Sequence, residues 1–216
     1  MKPADRIVFF DLETGGLDPL RHPIIQIAAL AVDGAFREID SLEMKLQFDH
    51  AKAEPEALAA NIYDAGTWMT EAIPPGRAMS LLSSFFRTYA TMEKTSPRGK
   101  TYTVARLAGH NVERFDCPFL VSWYKTAGEF CPAACFEPLD TVSLARWASF
   151  IAPMQPKDHK LGSLCEWLGI EHIEAHDALA DVRATVQVAK ALSKRFWLGW
   201  RTATELSPDV QEVARV

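Results

Sequence analysis

Ile7-Val8-Phe9-Phe10 is a continuous apolar run that stops on Asp11-Leu12-Glu13, and the turn chemistry of Thr14-Gly15-Gly16-Leu17-Asp18-Pro19 follows at once. The run reads as a buried strand. In an extended chain residues i and i+2 share a face, so Asp11 and Glu13 project together from the strand end. Two neighbouring acids repel unless they are protonated or bridged by cations. Hard divalent ions prefer such oxygen donors. Asp-x-Glu by itself is also a common solvated strand end. The apolar strand before it and the glycines after it, which leave backbone open to a ligand, point toward a site.

Further strand-like runs at Ile24 to Val32 and Leu42 to Phe48 complete a three-strand meander. Pro55 to Asp64 reads as a helix with proline near its first turn, and Trp68 falls in the loop after it. Helical spacing of Leu81, Leu82, Phe85, Phe86 and Tyr89 predicts a helix over Arg77 to Met92. The polar stretch Glu93 to Tyr102 reads as a mobile surface loop, with Arg98 and Lys100, like Arg77, as candidate phosphate contacts. Thr103 to Gly109 is the fourth strand, Glu113 to Ala127 a helix, and Phe136 to Asp140 a short fifth strand. Helices over Thr141 to Phe150, Leu161 to Leu168 and Ala178 to Phe196 finish the pattern. The order βββ-α-β-α-β-α predicts an α/β fold, a mixed five-stranded sheet flanked by helices. The expected organisation is one domain over residues 1–197 and a tail over 198–216, where Ser207-Pro208-Asp209 restarts a short helix.

Composition narrows the class. A chain that is 48% hydrophobic and 24% charged is an ordinary globular protein. Its longest apolar runs fall far short of the roughly 20 residues of a membrane span, and no apolar leader precedes the first strand, so a cytoplasmic protein without membrane attachment is expected. The formal charge of −5 argues against a non-specific coating protein, whose affinity rests on counterion release. It leaves room for an enzyme that grips a short stretch of nucleic acid through local cations and bound metals. Cys117, Cys131, Cys135 and Cys165 lack zinc-type spacing and read as reduced, structural thiols. Of the six tryptophans most are read as core residues, Trp68 being the one that could reach a base.

Two further segments carry chemistry. In Gly109-His110-Asn111-Val112-Glu113-Arg114-Phe115-Asp116 a strand ends on glycine and Asp116 falls near the start of the next helix. Asn111 as a helix cap and Asp116 as a dipole partner would account for them equally well. In His176-Asp177-Ala178-Leu179-Ala180-Asp181, Asp177 is an N-cap candidate, His176 precedes the helix, and Asp181 sits one turn inside it beside apolar neighbours. An acid there is costly unless it is paired or binds metal, and a nearby histidine suits proton transfer. Each segment alone has an ordinary structural explanation. Together they supply the inventory that two-metal phosphodiester hydrolysis requires: acids to hold ions and a base for the attacking water.

These three segments, with Phe119-Leu120, Leu139-Asp140-Thr141 and Lys160-Leu161-Gly162-Ser163-Leu164, resemble the motifs of the DEDDh 3′–5′ exonucleases, in order and spacing, over about residues 5–195. That family includes the epsilon proofreading subunit of bacterial DNA polymerase III and has an RNase H-like fold. The resemblance implies two Mg²⁺ or Mn²⁺ ions, with Asp11 bridging them, Glu13 and Asp181 completing one site, and Asp116 holding the other mainly through water. It implies His176 as general base, and Thr14, Gly15, Gly16, Leu17, His110 and Asn111 at the substrate, Leu17 packing on the terminal bases. One departure is that members commonly carry Thr-Thr-Gly or Ala-Thr-Gly after the glutamate, whereas this chain has Thr14-Gly15-Gly16. Gly15 would add backbone freedom there and leave the metal site intact.

The expected function is release of nucleoside 5′-monophosphates from a free, single-stranded 3′ end, DNA being favoured. An RNA-trimming or oligoribonucleotide-degrading enzyme is the alternative, since no residue reveals a contact to the 2′-OH. A non-catalytic nucleic-acid-binding or polymerase-partner module is the alternative from another class, and the complete acid set argues against it. A polymerase or repair protein is a conceivable partner, although no clamp-binding segment follows the motifs.

Overall fold

The computed structural model describes residues 6–61, 63–152, 154–171 and 177–206, excluding the side chains of residue 151 and of 197–206. In chain order the strands and helices are β1 (Ile7–Thr14), β2 (Ile24–Val32), β3 (Glu38–Lys45), α1 (Pro55–Ala60), α2 (Ala65–Glu71) and α3 (Pro75–Thr88), then β4 (Met92–Thr95), β5 (Thr101–Val104), β6 (Leu107–Gly109) and α4 (Asp116–Thr126), and finally β7 (Leu139–Asp140), α5 (Thr141–Ile151), α6 (Leu161–Leu168) and α7 (Ala178–Leu206). The main sheet has the order β3-β2-β1-β6-β7. β1, β2 and β3 form an antiparallel meander, while β6 and β7 add in parallel to β1. This is the mixed five-stranded sheet expected from the sequence.

Alternation along β1 divides the core. Val8, Phe10 and Leu12 face α3 and α4, packing with Leu82, Phe86, Leu120 and Tyr124. Ile7 and Phe9 face the other way, toward Ala178, Val182 and Val186 of α7. Helices α5 and α6 then pack on the outer side of α7 through Ala145, Ala148, Leu164, Val188 and Leu192. Every residue of β2 is buried, as a strand covered on both faces must be. Each fully buried large apolar side chain contributes about 1.5–3 kcal/mol. Among the described residues, no helix is long and apolar enough to cross a membrane.

Several local expectations are corrected. The stretch Glu93 to Tyr102 is a β-hairpin, β4 paired with β5, rather than an irregular loop. Its Pro97-Arg98-Gly99 forms only the tip, where Ser96 and Lys100 exchange hydrogen bonds and Gly99 takes φ 76°. The predicted fourth strand is consequently split, its first half serving the hairpin and its second the main sheet. The third strand begins earlier than expected, at Glu38, because Asp33 ties the backbone of Ala35 and Arg37 into a tight turn and pairing starts beside it. Its acidic positions suit a sheet edge, which apolar patterning does not reveal. The predicted helix over Pro55 to Asp64 ends at Ala60. Asp64 instead caps α2 by accepting from Thr67 N, which places Trp68 in a helix. At the other end, α7 runs on past Phe196 to Leu206. His176 and Ser207-Pro208-Asp209 lie outside the described residues.

Candidate active site

The sheet brings its acids together at the carboxyl ends of β1, β6 and β7, where open α/β sheets commonly bind ligands. Asp11 and Glu13 continue the face of β1 that begins with Ile7 and Phe9. They emerge where α7 starts, and Asp181 stands in its first turn. Asp177 holds that turn in place by accepting from Ala180 N at 2.8 Å, the bond of an N-cap to N3. The pairing register of β1 with β2 shifts between Glu13 and Thr14, an irregularity often found beside active sites.

Asp116 arrives from the opposite layer. It is buried at the start of α4, and its Oδ1 accepts from Leu12 N at 2.8 Å, the backbone amide between Asp11 and Glu13. One hydrogen bond therefore fixes the second segment to the first. The loop before Asp116 is shaped by Asn111, which adopts the left-handed conformation at φ 59° and accepts from Arg114 N and Phe115 N. Asparagine tolerates that region better than most residues. It is a turn residue here rather than the cap of α4, whose N-cap is Phe115. Gly109 is required for packing: a Cβ there would lie 2.9 Å from the Phe10 carbonyl oxygen and 2.7 Å from Val112 Cβ.

Asp140 organises this loop from the neighbouring strand. Its carboxylate caps α5 at Val142 N and also accepts from Asn111 N and Glu113 N, each at 3.1 Å. Thr141 donates to Gly109 O and meets His110 Nδ1 at 2.9 Å. Burial pushes the His110 imidazole toward its neutral form. In the sequence Leu139-Asp140-Thr141 stands out only through its resemblance to a family segment. Its work as a clamp is visible in three dimensions.

The turn after Glu13 is held tightly. Gly15 N donates to Pro23 O at 2.8 Å, and Gly15 O accepts from Glu54 N at 2.7 Å. A Cβ on Gly15 would come within 2.9 Å of Ala53 Cβ and Pro23 Cδ, so the glycine is there for close packing and does not loosen the turn as expected. Thr14 is buried and donates to Gly16 O, and Gly16 packs over the His22 ring. Leu17 stands out at 78% exposed.

Electrostatics couples the acids to one another. Asp11 is held well above the ordinary aspartate value by burial, then by Glu13 and Asp181. Burial and then Asp181 push Glu13 up to about 7. Asp116 is also raised, by burial and then by Asp11, with the Leu12 amide opposing. Four carboxylates from three distant segments thus share one field. Among the described residues, no three acids, histidines or cysteines are already closed into a metal-holding cluster. The acids share a field without converging on one point. The donor set nonetheless fits hard divalent cations, being all oxygen and carrying excess negative charge that cations relieve.

A model of the exonuclease family matches residues 83–189, a range that takes in Asp116 and Asp181. The PolC-type DNA polymerase III of Bacillus cereus is 28% identical over 178 residues, covering 82% of this chain and 11% of the polymerase. The corresponding polymerase of Oceanobacillus iheyensis is 28% identical over 181 residues, again covering 11% of its own length. The chain is thus similar to the exonuclease family over residues 83–189 and to these polymerases over most of its own length. The chain spans only a small part of those polymerases. Among solved structures, Escherichia coli exonuclease I in complex with a dT13 oligonucleotide superposes with a TM-score of 0.70 at 22% identity, over 92% of this chain and 44% of that chain. Exonuclease I in complex with the SSB-Ct gives 0.67 at 21% identity, over 88% and 41%. At such identities the likeness concerns the fold, which is the RNase H-like exonuclease fold.

Two other expectations are settled by burial. Trp68 is a core residue, 7% exposed, with Nε1 donating to Ile25 O, and it does not reach a base. Trp147 is the reverse case, a helical tryptophan that stands in solvent at 69% exposure. All four cysteines are free, and Cys131 and Cys135 touch at 3.6 Å between sulfurs.

Proposed function

We propose that this exonuclease hydrolyses single-stranded DNA from the 3′ end, releasing nucleoside 5′-monophosphates with two Mg²⁺ or Mn²⁺ ions. The observation that carries the reading is that Asp11 and Glu13 at the end of β1, Asp116 at the start of α4 and Asp181 in the first turn of α7 act on one another through one largely buried field. In this reading Asp11 would help to hold both ions, Glu13 and Asp181 would hold one, and Asp116 would hold the other. The ions, when bound, supply Lewis-acid activation of water and charge stabilisation at the leaving 3′ oxygen.

The chain's own residues do the rest. His176 takes the proton of the attacking water on an imidazole nitrogen, a task to which histidine is suited. The backbone of Thr14 to Gly16, held rigid by Pro23 and Glu54, receives the terminal sugar. Exposed Leu17 packs on the terminal base, and His110 and Asn111, fixed by Thr141 and Asp140, border the strand. A rigid turn positions the scissile phosphate before reaction, which is how such sites reduce the entropic part of a barrier. DNA is favoured because the related polymerases are DNA polymerases, and the solved relative holds a DNA oligonucleotide. The cytoplasm and a polymerase or repair partner belong to the same proposal.

The test uses matched single-stranded DNA and RNA, labelled at either end, with Mg²⁺, Mn²⁺ or EDTA. Mononucleotide release from the 3′ label of DNA, lost in EDTA, is the expected result. Faster release from RNA would transfer the proposal to an exoribonuclease. Release from neither, with wild type matching Asp11→Ala, would leave only a binding module.

A further inference from the structure

Helix α5 buries one side and displays aromatic residues on the other. Val142, Ala145, Ala148 and Ser149 are buried, and the alanines pack against α6 and α7. Ser143, Arg146, Trp147 and Phe150 recur at helical spacing on the opposite side. Trp147 is 69% and Phe150 78% exposed. Their rings stand edge to face, 6.5 Å apart, and with Ser143 and Arg146 they line a shallow hollow of about 390 Å³. Leaving two large aromatic groups in water on a well-packed helix marks a contact surface.

Charge and position say what the surface fits. No carboxylate lines the hollow, and the Arg146 guanidinium has no ion pair among the described residues. In a chain with a formal charge of −5, an acid-free cationic hollow is suited to an anion. The helix that carries it starts at the candidate active site: its cap, Asp140, holds Asn111 N and Glu113 N of the loop that leads to Asp116. At 1.5 Å per residue Trp147 stands roughly 9 Å along the helix from Thr141. Aromatic faces joined to a cation form the sequence-tolerant platform that unpaired bases and phosphates favour.

We propose that Ser143, Arg146, Trp147 and Phe150 form a second contact for the single-stranded substrate, holding nucleotides upstream of the 3′ end that enters the acid cluster. Trp147 and Phe150 stack on bases, and Arg146 meets a phosphate. The inference rests on the nuclease reading above for its substrate, and its test separates the two. Trp147→Ala/Phe150→Ala and Arg146→Gln are compared with wild type on single-stranded DNA oligonucleotides of increasing length. Thermal midpoints establish that the surface changes leave the fold intact.

The expected result is wild-type turnover on the shortest substrates and a KM at least tenfold higher for the aromatic double variant on long ones, with kcat unchanged. Arg146→Gln should also flatten the dependence of binding on salt, which loss of mere packing would not do. A wild-type KM at every length overturns the proposal and assigns the face to a protein partner or a second copy of the chain. If wild type cleaves nothing, the nuclease reading fails, and anisotropy of a fluorescent DNA oligonucleotide in EDTA still decides this one. At least tenfold weaker binding by the double variant supports the platform, and equal binding overturns it.

Discussion

Glu13 concentrates the energetics of the site in one side chain. Its carboxyl is pushed up to about 7 from an ordinary 4.5, by burial first and the Asp181 charge second. A carboxyl that holds its proton more tightly folded than unfolded favours folding while it is protonated. The metal-free protein is therefore most stable below about pH 4.5 with respect to this group, and loses up to about 3 kcal/mol as pH rises through 7. Thermal midpoints in EDTA between pH 4.5 and 8 should fall, and the fall should be shallower in Glu13→Gln. A midpoint that rises with pH over that window would contradict the buried-field account. Gly15 offers a second residue-scale test. Gly15→Thr should lower stability by roughly 1–3 kcal/mol, because its Cβ would meet Ala53 and Pro23 at 2.9 Å. Unchanged stability would mean that the turn is looser than its hydrogen bonds imply. For His176 the expectation concerns chemistry alone: His176→Ala should keep metal affinity and lose most turnover. Loss of metal binding would contradict the general-base assignment.

Among the elements, the short β7 and the cap of α5 have an influence beyond their size. Asp140→Ala removes an N-cap worth about 1 kcal/mol and also frees the backbone of Asn111 and Glu113. Turnover should fall more than stability does, since Asp116 depends on that loop. Equal kinetics for the variant and wild type would reduce Asp140 to a cap. Much at this scale was legible in the residues. β2 and α6 begin and end where apolar periodicity and capping put them, and the acids of β1 were placed by period-two alternation. The hairpin of β4 and β5 was hidden because its strands are short, polar and paired only with each other. The α1–α2 break was hidden because Asp64, which ends one helical reading, caps the next helix. The hydrogen bond from Leu12 N to Asp116 joins residues 104 apart in sequence, a relation that no local pattern encodes.

At the scale of the molecule, sidedness does the work. One strand sends its even residues into the layer of α3 and α4 and its odd residues toward α7. Past the end of the core the odd positions become Asp11 and Glu13, and α7 meets them with Asp181. The motifs identified the acids, but their shared field depends on this packing, which had to be seen in three dimensions. Central to the account is that these acids form a divalent-metal site, and Mn²⁺ binding measured by calorimetry at pH 7.5 tests it most directly. Wild type should bind two ions per chain and gain thermal stability that rises with the logarithm of free Mn²⁺ above the dissociation constant, whereas folded Asp11→Asn should lose at least one of them. Equal Mn²⁺ binding by wild type and Asp11→Asn, or none by either, would contradict it.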